Sequence, residues 1–442
     1  MVGSTRTLIP LFIIFLLLTT CGSADIGVGN NTSSAFTLHA LTNLRQRLSP
    51  AAVSSCQGLT ASCVTPQTMR AAYGIDSLLQ KGFTGKGQTV VDLIYLGSPT
   101  LQQDMDVFDR TFNLPPVDLQ VLSPLTIPAK ASRQDREGAA QETQLDVEAI
   151  HALAPGAKIV VVQSPVVETQ GIVGLPEFLK LEQYIITQKL GSIVSQSWGA
   201  SELTLKDAQS QRELQQWNAL LQQGTITDHI TYFFSSGDSG AADAIDAKND
   251  LGSVPTTSFG ADSPWVTSVG GTRLRHVGPT FPETAWSDSG DGSGSGGGFS
   301  SFFQTPFYQK VLPVLTQKQF INRRGVPDVS AVGDPATGLP VYVSGQWNLV
   351  GGTSLSAPIW AAVGAIANQV AGHPLGFINP GLYKLGASAT YQRDFHDITK
   401  GSNSNLLARV KGYSAVPGWD AVTGLGTPNA VNLIPDLIGA LK

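Results

Sequence analysis

Gly85-Lys86-Gly87-Gln88-Thr89-Val90-Val91-Asp92-Leu93-Ile94-Tyr95-Leu96 is the stretch from which the fold class is read. Two glycines supply a turn, and a short, mainly apolar run over residues 89–96 follows as a strand. Similar short runs recur at Ile159–Gln163, Ser192–Gln196 and Tyr232–Ser235. Helical patterns occupy Pro66–Gln80, Pro176–Leu190 and Leu203–Leu221. Strands alternating with helices predict an α/β fold, a doubly wound and mainly parallel sheet with helices on both faces. Gly290–Gly298 is a Gly/Ser run broken only by Asp291. It is expected to be a flexible linker or a surface loop that does not divide the domain.

The 442 residues carry 28 Lys+Arg against 33 Asp+Glu, a formal charge of -5. Hydrophobic residues make up 42%, which excludes global disorder. Charged residues make up 14%, against roughly a quarter in ordinary soluble proteins. No nucleic-acid partner is expected, because that needs a concentrated basic face. Sparse charge suits a protein that meets acid, where titrating groups would otherwise create self-repulsion. The 47 Gly and 26 Pro point to many turns and loops.

Residues 1–24 read as a secretory signal peptide: Arg6, then an apolar stretch from Leu8 to Leu18, then small residues with cleavage after Ala24. Leu18-Thr19-Thr20-Cys21 also faintly resembles a lipoprotein box, which would place a lipid anchor on Cys21. The expected location is secreted, with a cell-surface lipoprotein as the alternative. No stretch is long enough to be a transmembrane segment. Residues 25–66 are Ser/Thr/Asn-rich and read as a short linker or prosegment, ahead of a globular region over 67–442. Cys56 and Cys63 lie seven apart; export permits a disulfide, and two unpaired thiols are the alternative.

The sharpest chemical signal is Gly351-Gly352-Thr353-Ser354-Leu355-Ser356-Ala357-Pro358, followed by an apolar helix over Ile359–Val370. Ser354 sits at the mouth of a helix N-terminus, where partial positive charge favours an alkoxide or oxyanion. It reads as a nucleophile or as a simple N-cap. None of the six histidines lies in a context that supplies a subtilisin-like base, and His151 reads as a core or surface residue. Glu142 and Asp146 are four apart, on one helix face that continues through Ile150 and Leu153 toward the interior. Partly buried, two such carboxyls couple and share a proton; exposed, they are an ordinary acidic face. Glu148 points elsewhere and is expected to be solvated. Asp238 lies in Tyr232-Phe-Phe-Ser-Ser-Gly-Asp-Ser-Gly240, where a strand runs into a turn. It reads as a functional group or as a turn residue satisfying its own backbone.

Together these segments resemble the sedolisin family of serine–carboxyl peptidases, from about Tyr73 to the C-terminus. The resemblance implies a subtilisin-like fold and a single large catalytic domain. It maps Ser354 to the nucleophile, Glu142 to the general base, Asp146 to its carboxylate partner and Asp238 to the oxyanion donor. Ala152-Leu-Ala-Pro-Gly-Ala-Lys158 matches as well. Ser195-Gln-Ser-Trp-Gly199 resembles the family's substrate-edge strand, which places Trp198 and Gly199 at the substrate and has Trp198 helping to hold Glu142. An extra Glu that some members carry at the end of the first strand is Tyr95 here.

Phe395-His-Asp-Ile-Thr399 and Val416-Pro-Gly-Trp-Asp420 resemble the family's calcium loop, over about residues 395–420. That likeness implies one structural Ca2+ held by the side chains of Asp397 and Asp420 and the carbonyls of Ile398, Val416 and Gly418. An all-oxygen site is what calcium takes. The implied activity is hydrolysis of protein or peptide substrates in acid, by a monomer. The rival is a catalytically silent exported binding or surface protein on the same fold.

Overall fold

The computed structural model describes residues 53, 56, 62–127, 131–166, 174–245 and 250–442. The signal peptide over 1–24, Cys21 and most of the linker over 25–66 lie outside these. Eight strands build the main sheet: β1 Thr89–Tyr95, β2 Asp118–Leu122, β3 Lys158–Ser164, β4 Ile193–Gln196, β5 Thr231–Ser235, β6 Thr267–Leu274, β7 Glu283–Ala285 and β8 Val329–Val332. Their order is β8-β6-β5-β4-β1-β3-β2, with every neighbour in that row parallel and β7 antiparallel on β6. The chain leaves β3 on one side of β1 and re-enters as β4 on the other. Order therefore reverses at β1, and the crevice beyond the strand ends there is where such sheets place their chemistry.

Five long helices flank this sheet: α1 Leu101–Phe112, α2 Arg133–Leu153, α3 Leu175–Gln188, α4 Ala208–Ile226 and α5 Thr353–Ala371. Ser132 caps α2 by accepting the Asp135 amide, and Asp207 caps α4 by accepting those of Gln209 and Ser210. The Asp207 cap is why the helix expected from Leu203 starts late, after a single 3-10 turn over Glu202–Thr204. The stretch 66–80 likewise breaks into Pro66–Ala72 and Asp76–Gln80, with Gly74 at φ +70° between them.

Helix α5 is buried along most of its length, packed on α2 and against β4, β5, β6 and β8. The Trp360 indole N–H bonds the Ser330 carbonyl at 2.8 Å and fixes α5 to β8. Helix α2 is enclosed as well: every residue from Glu142 to Leu153 is buried. A hairpin, Leu339–Val343 with Gln346–Val350, also packs on α2. Glu148 is therefore not solvated, contrary to expectation; its carboxylate accepts the Tyr342 amide of the hairpin at 3.2 Å. His151 is a core residue, with Nε2 2.8 Å from the Pro115 carbonyl and 3.2 Å from Asp109 Oδ1.

The Gly/Ser run over 290–298 also departs from expectation. Residues 292–298 are buried, and the run threads beside the segment that follows β5. The Gly294 amide donates to the Asp238 carbonyl at 2.8 Å and the Gly296 amide to that of Gly237 at 2.7 Å. A Cβ on Gly296 would lie 2.1 Å from the Ser236 carbonyl oxygen. The glycines serve close backbone approach rather than flexibility. At the other end of the described chain, Val53 and Val64 are part of the core, and Val64 N–H bonds the Gly338 carbonyl. Cys56 and Cys63 form a disulfide with Cα atoms 5.5 Å apart.

Candidate active site

Gly352 makes a bend that only glycine allows, immediately before the first turn of α5. Gly352 has φ +119°, and a Cβ there would sit 2.7 Å from Asp238 Oδ2. The missing side chain lets the carboxyl of Asp238 approach the start of the helix. Gly352, not Ser354, occupies the N-cap position. Ser354 is the second helical residue and is 4% exposed. Ser356, one half-turn on, is structural: its hydroxyl donates to the carbonyls of Ala331 and Val332.

Helix α2 brings Glu142 to Ser354. The two side chains are hydrogen-bonded, and the bond lowers the proton affinity of Glu142. Burial outweighs it, with help from the charges of Asp238 and Asp92, and the carboxyl is pushed up to about 8. Asp146, fully buried one turn along, accepts Ser197 Oγ at 3.0 Å. Its proton affinity is also raised well above the usual carboxylate range, first by burial and then by Asp92 and Glu142. The partners of Glu142 and Asp146 are Ser354, Ser197, Asp92 and Asp238, with no histidine and no cation among them. The helix-face reading of 142 and 146 thus holds in its buried form.

Asp238 leaves the end of β5 after Gly237, at φ +106°. Its Oδ1 accepts both the backbone amide and the hydroxyl of Thr353, each at 2.7 Å. Thr353 Oγ1 in turn accepts the Gly237 amide at 3.1 Å. The half-buried carboxyl is therefore clamped to the residue preceding Ser354. A neutral carboxyl at this place offers an O–H; in the first turn of α5 the Thr353 amide is taken by Asp238 and the Leu355 amide by the Gly352 carbonyl, which leaves the Ser354 amide without an intrahelical acceptor. Together they form a place for a negative oxygen beside Ser354.

Trp198 lies close by but holds nothing by hydrogen bond. Its indole stacks among Phe178, Trp217, Phe234 and Phe259, with ring centroids 4.1–6.3 Å away, and its Nε1 has no partner. It is part of an aromatic cluster and does not make the hydrogen-bonded link to Glu142 that the resemblance implies. Gly199 precedes a two-residue strand, Ala200–Ser201, paired antiparallel with Ser258–Phe259. Tyr95 is buried at the end of β1, and its phenol is held protonated by burial and then by the nearby charge of Glu142. The residue that sequence reasoning missed is Asp92, fully buried in the middle of β1 and in contact with Asp146. A lone acid inside an otherwise apolar strand was the available signal.

The two loops of the expected calcium site come together away from these groups. The Asp397 carboxylate accepts the Gly418 amide at 3.0 Å, and its Oδ1 is buried with no donor. Asp420 accepts the amides of Val416, Val422 and Thr423 at 2.8–3.0 Å. Gly418 has φ +81°, a bend that glycine makes without strain. Neither carboxylate forms an ion pair with Lys or Arg among the described residues. Hard oxygen donors and one orphaned carboxylate oxygen fit a calcium ion.

Residues 132–377 match the Subtilase family. Kumamolisin of a Bacillus species is 33% identical over 401 residues, which cover 89% of this chain and 67% of that protein. Human tripeptidyl-peptidase 1 is 29% identical over 418 residues, 90% of this chain and 68% of that protein. Among solved structures, Pseudomonas sedolisin, a serine-carboxyl proteinase complexed with pseudo-iodotyrostatin, superposes with a TM-score of 0.71 at 26% identity. That superposition covers 85% of this chain and 98% of sedolisin. With its parallel sheet and its serine at the head of α5, the chain belongs to the subtilase family and, within it, to the sedolisins, and it is a serine-type peptidase.

Proposed function

We propose that the protein is an exported, acid-acting serine–carboxyl peptidase whose catalytic set is Ser354, Glu142, Asp146 and Asp238. The observation that carries this is the Glu142–Ser354 hydrogen bond, with Asp238 clamped one residue away through Thr353. Ser354 Oγ attacks the peptide carbonyl carbon while its proton passes to Glu142. The carbonyl oxygen becomes an oxyanion that accepts the Asp238 O–H and backbone N–H near Ser354. As the C–N bond breaks, Glu142 returns the proton to the leaving amine, and an ester on Ser354 remains. Water then takes the place of Ser354 in the same sequence and releases the acid.

The working state needs Glu142 ionised and Asp238 protonated at once. Two groups that divide one proton do so only between their two macroscopic dissociations, so the rate follows a bell in pH. Burial raises the proton affinity of Glu142, so only the fraction of molecules with Glu142 ionised and Asp238 protonated reacts, and the acidic range rests on Asp238 keeping a proton that a carboxyl ordinarily loses near about 3.9. The sparse charge of the chain supports the same range. Asp397 and Asp420, with the carbonyls of Ile398, Val416 and Gly418, would hold calcium. When bound, the ion would neutralise the two carboxylates and tie the C-terminal loops together. No helix among the described residues is long and apolar enough to cross a membrane.

The test is hydrolysis of a mixed peptide library, with products read by mass across pH, for the wild type and Ser354→Ala. Acid-dependent cleavage lost in Ser354→Ala supports the assignment. Cleavage retained in that variant overturns it.

A further inference from the structure

Behind the Glu142–Ser354 pair lies a third carboxyl that the steps above do not use. Asp92 is the middle residue of β1 and is fully buried, with β3 and β4 on its two sides. Its neighbours along the strand are Val90, Val91, Leu93 and Ile94, all fully buried. An acid in such surroundings is costly unless something answers it. What faces it is Asp146: the two carboxyl groups are in side-chain contact. Both Asp92 oxygens and Asp146 Oδ2 have no N–H or O–H donor from any other described group. The remaining oxygen, Asp146 Oδ1, accepts Ser197 Oγ. Two carboxylates are both acceptors, so they bond only if one carries a proton. The contact therefore requires one proton between them, as in other buried carboxyl pairs.

The groups facing this pair are few. From α2 come Asp146 itself and Glu142, whose proton affinity the Asp92 charge raises. From β4 comes Ser195, register partner of Asp92 and so on the same face, with a buried hydroxyl that has no partner. Tyr95 on β1 faces the charges of Glu142 and Asp146. The charge of Asp238 also acts on Glu142. No cation is among them.

We propose that Asp92 is a positioning residue: one proton shared between Asp92 and Asp146 locks the Asp146 carboxyl in place and fixes the charge that stands behind Glu142. This rests on the assignment of Glu142 and Ser354 as the reacting pair. With the proton shared, the pair carries a single negative charge, which supports the uptake of the Ser354 proton by Glu142. A second charge would build only when that proton leaves. Asp92 touches neither substrate nor Ser354, and it acts through Asp146 alone.

The experiment compares full pH profiles of kcat and kcat/KM for the wild type, Asp92→Asn and Asp92→Ser. Both substitutions keep a donor for Asp146 but remove the acidic proton, so Asp146 alone carries the pair's single charge and a second charge can no longer build as pH rises. The acid limb is expected to stay and the alkaline limb to move toward acid, by about one pH unit, with KM little changed. A purely structural role for Asp92 would lower the melting temperature and leave the limbs in place, and that result overturns the proposal. Infrared difference spectra in a Ser354→Ala background give a reading independent of activity. The wild type is expected to show one protonated carboxyl band that Asp92→Asn lacks; identical spectra overturn the proposal. Ser354→Ala retaining activity would instead strike the catalytic assignment, and the infrared result would still decide whether the proton is shared.

Discussion

Asp238 Oδ1 receives two hydrogen bonds from Thr353, one from its amide and one from its hydroxyl, both at 2.7 Å. This relationship joins the loop after β5 to the head of α5 and leaves Asp238 Oδ2 facing the backbone of Gly352. A carboxyl so held keeps one oxygen as an acceptor and leaves the other beside the start of α5, where the proposed mechanism needs a donor.

The first prediction follows from that geometry. Asn at 238 keeps an acceptor for Thr353 and donates from its amide whatever the pH. Asp238→Asn is expected to retain measurable activity and to extend the alkaline limb toward neutral pH. Asp238→Ala loses the donor altogether and is expected to lower kcat by about 10²–10³-fold. Pre-steady-state and steady-state rates over pH check both; an unchanged acid profile in Asp238→Ala would contradict the donor role.

Stability should depend on pH in an unusual direction. Burial, the first cause in each case, raises Asp92 to about 7, Glu142 to about 8, Glu182 to about 7 and Asp243 to about 6. Above about pH 4 the unfolded chain releases these protons while the folded chain keeps them. The unfolded state then binds fewer protons than the folded one, so stability falls as pH rises through roughly 4 to 8. Calorimetry at constant ionic strength is expected to give a higher Tm at pH 4 than at pH 8. A Tm that is flat or rises over that window would contradict the account.

Much of this was legible in the sequence, and the exceptions share a cause. Strands β1, β3, β4 and β5 were marked by apolar runs between turns, and Glu142, Asp146, Asp238 and Ser354 were marked by local context. Strand β6 was not read, because Gly270 and Gly271 interrupt its pattern. Those glycines are there for close packing: a Cβ on Gly271 would lie 2.8 Å from the Trp286 ring. Helix periodicity places Glu148 in solvent because it assumes one covered face, whereas a distant hairpin covers this residue too. The Gly/Ser run at 290–298 has a linker's composition, and only its partner at 236–240 shows that the small residues are needed for packing. Asp92 was passed over because nothing local pairs with it; its partner is 54 residues away in sequence, on α2. In each case the deciding neighbour is remote along the chain.

The packing of that run yields a third prediction. Gly296→Ala sets a methyl group 2.1 Å from the Ser236 carbonyl oxygen, a backbone atom that cannot swing aside. The expected cost is about 1–3 kcal/mol or more in stability. It should be accompanied by a fall in kcat, because Gly237 and Asp238 must shift. Gly290→Ala, in open space, is the control for crowding, although its φ of +113° adds strain of its own. Equal stability of Gly296→Ala and the wild type would contradict the close approach.

Calcium gives a fourth. A chelator is expected to lower Tm, and added calcium to restore it, by an amount that grows with the logarithm of the free ion. Asp397→Ala should have a lower Tm and be insensitive to both. A wild-type melt unmoved by chelator, with no calcium found by elemental analysis, would remove the site.

The central claim is that carboxyl groups, not an imidazole, drive the hydroxyl of Ser354. Single-turnover acylation of the wild type and Glu142→Gln at acid pH, with Ser354→Ala as the blank, tests it most directly. The account predicts that Glu142→Gln folds as the wild type does yet acylates slower by about 10²–10⁴-fold, the usual contribution of a positioned base. Acylation at the wild-type rate in Glu142→Gln would contradict it.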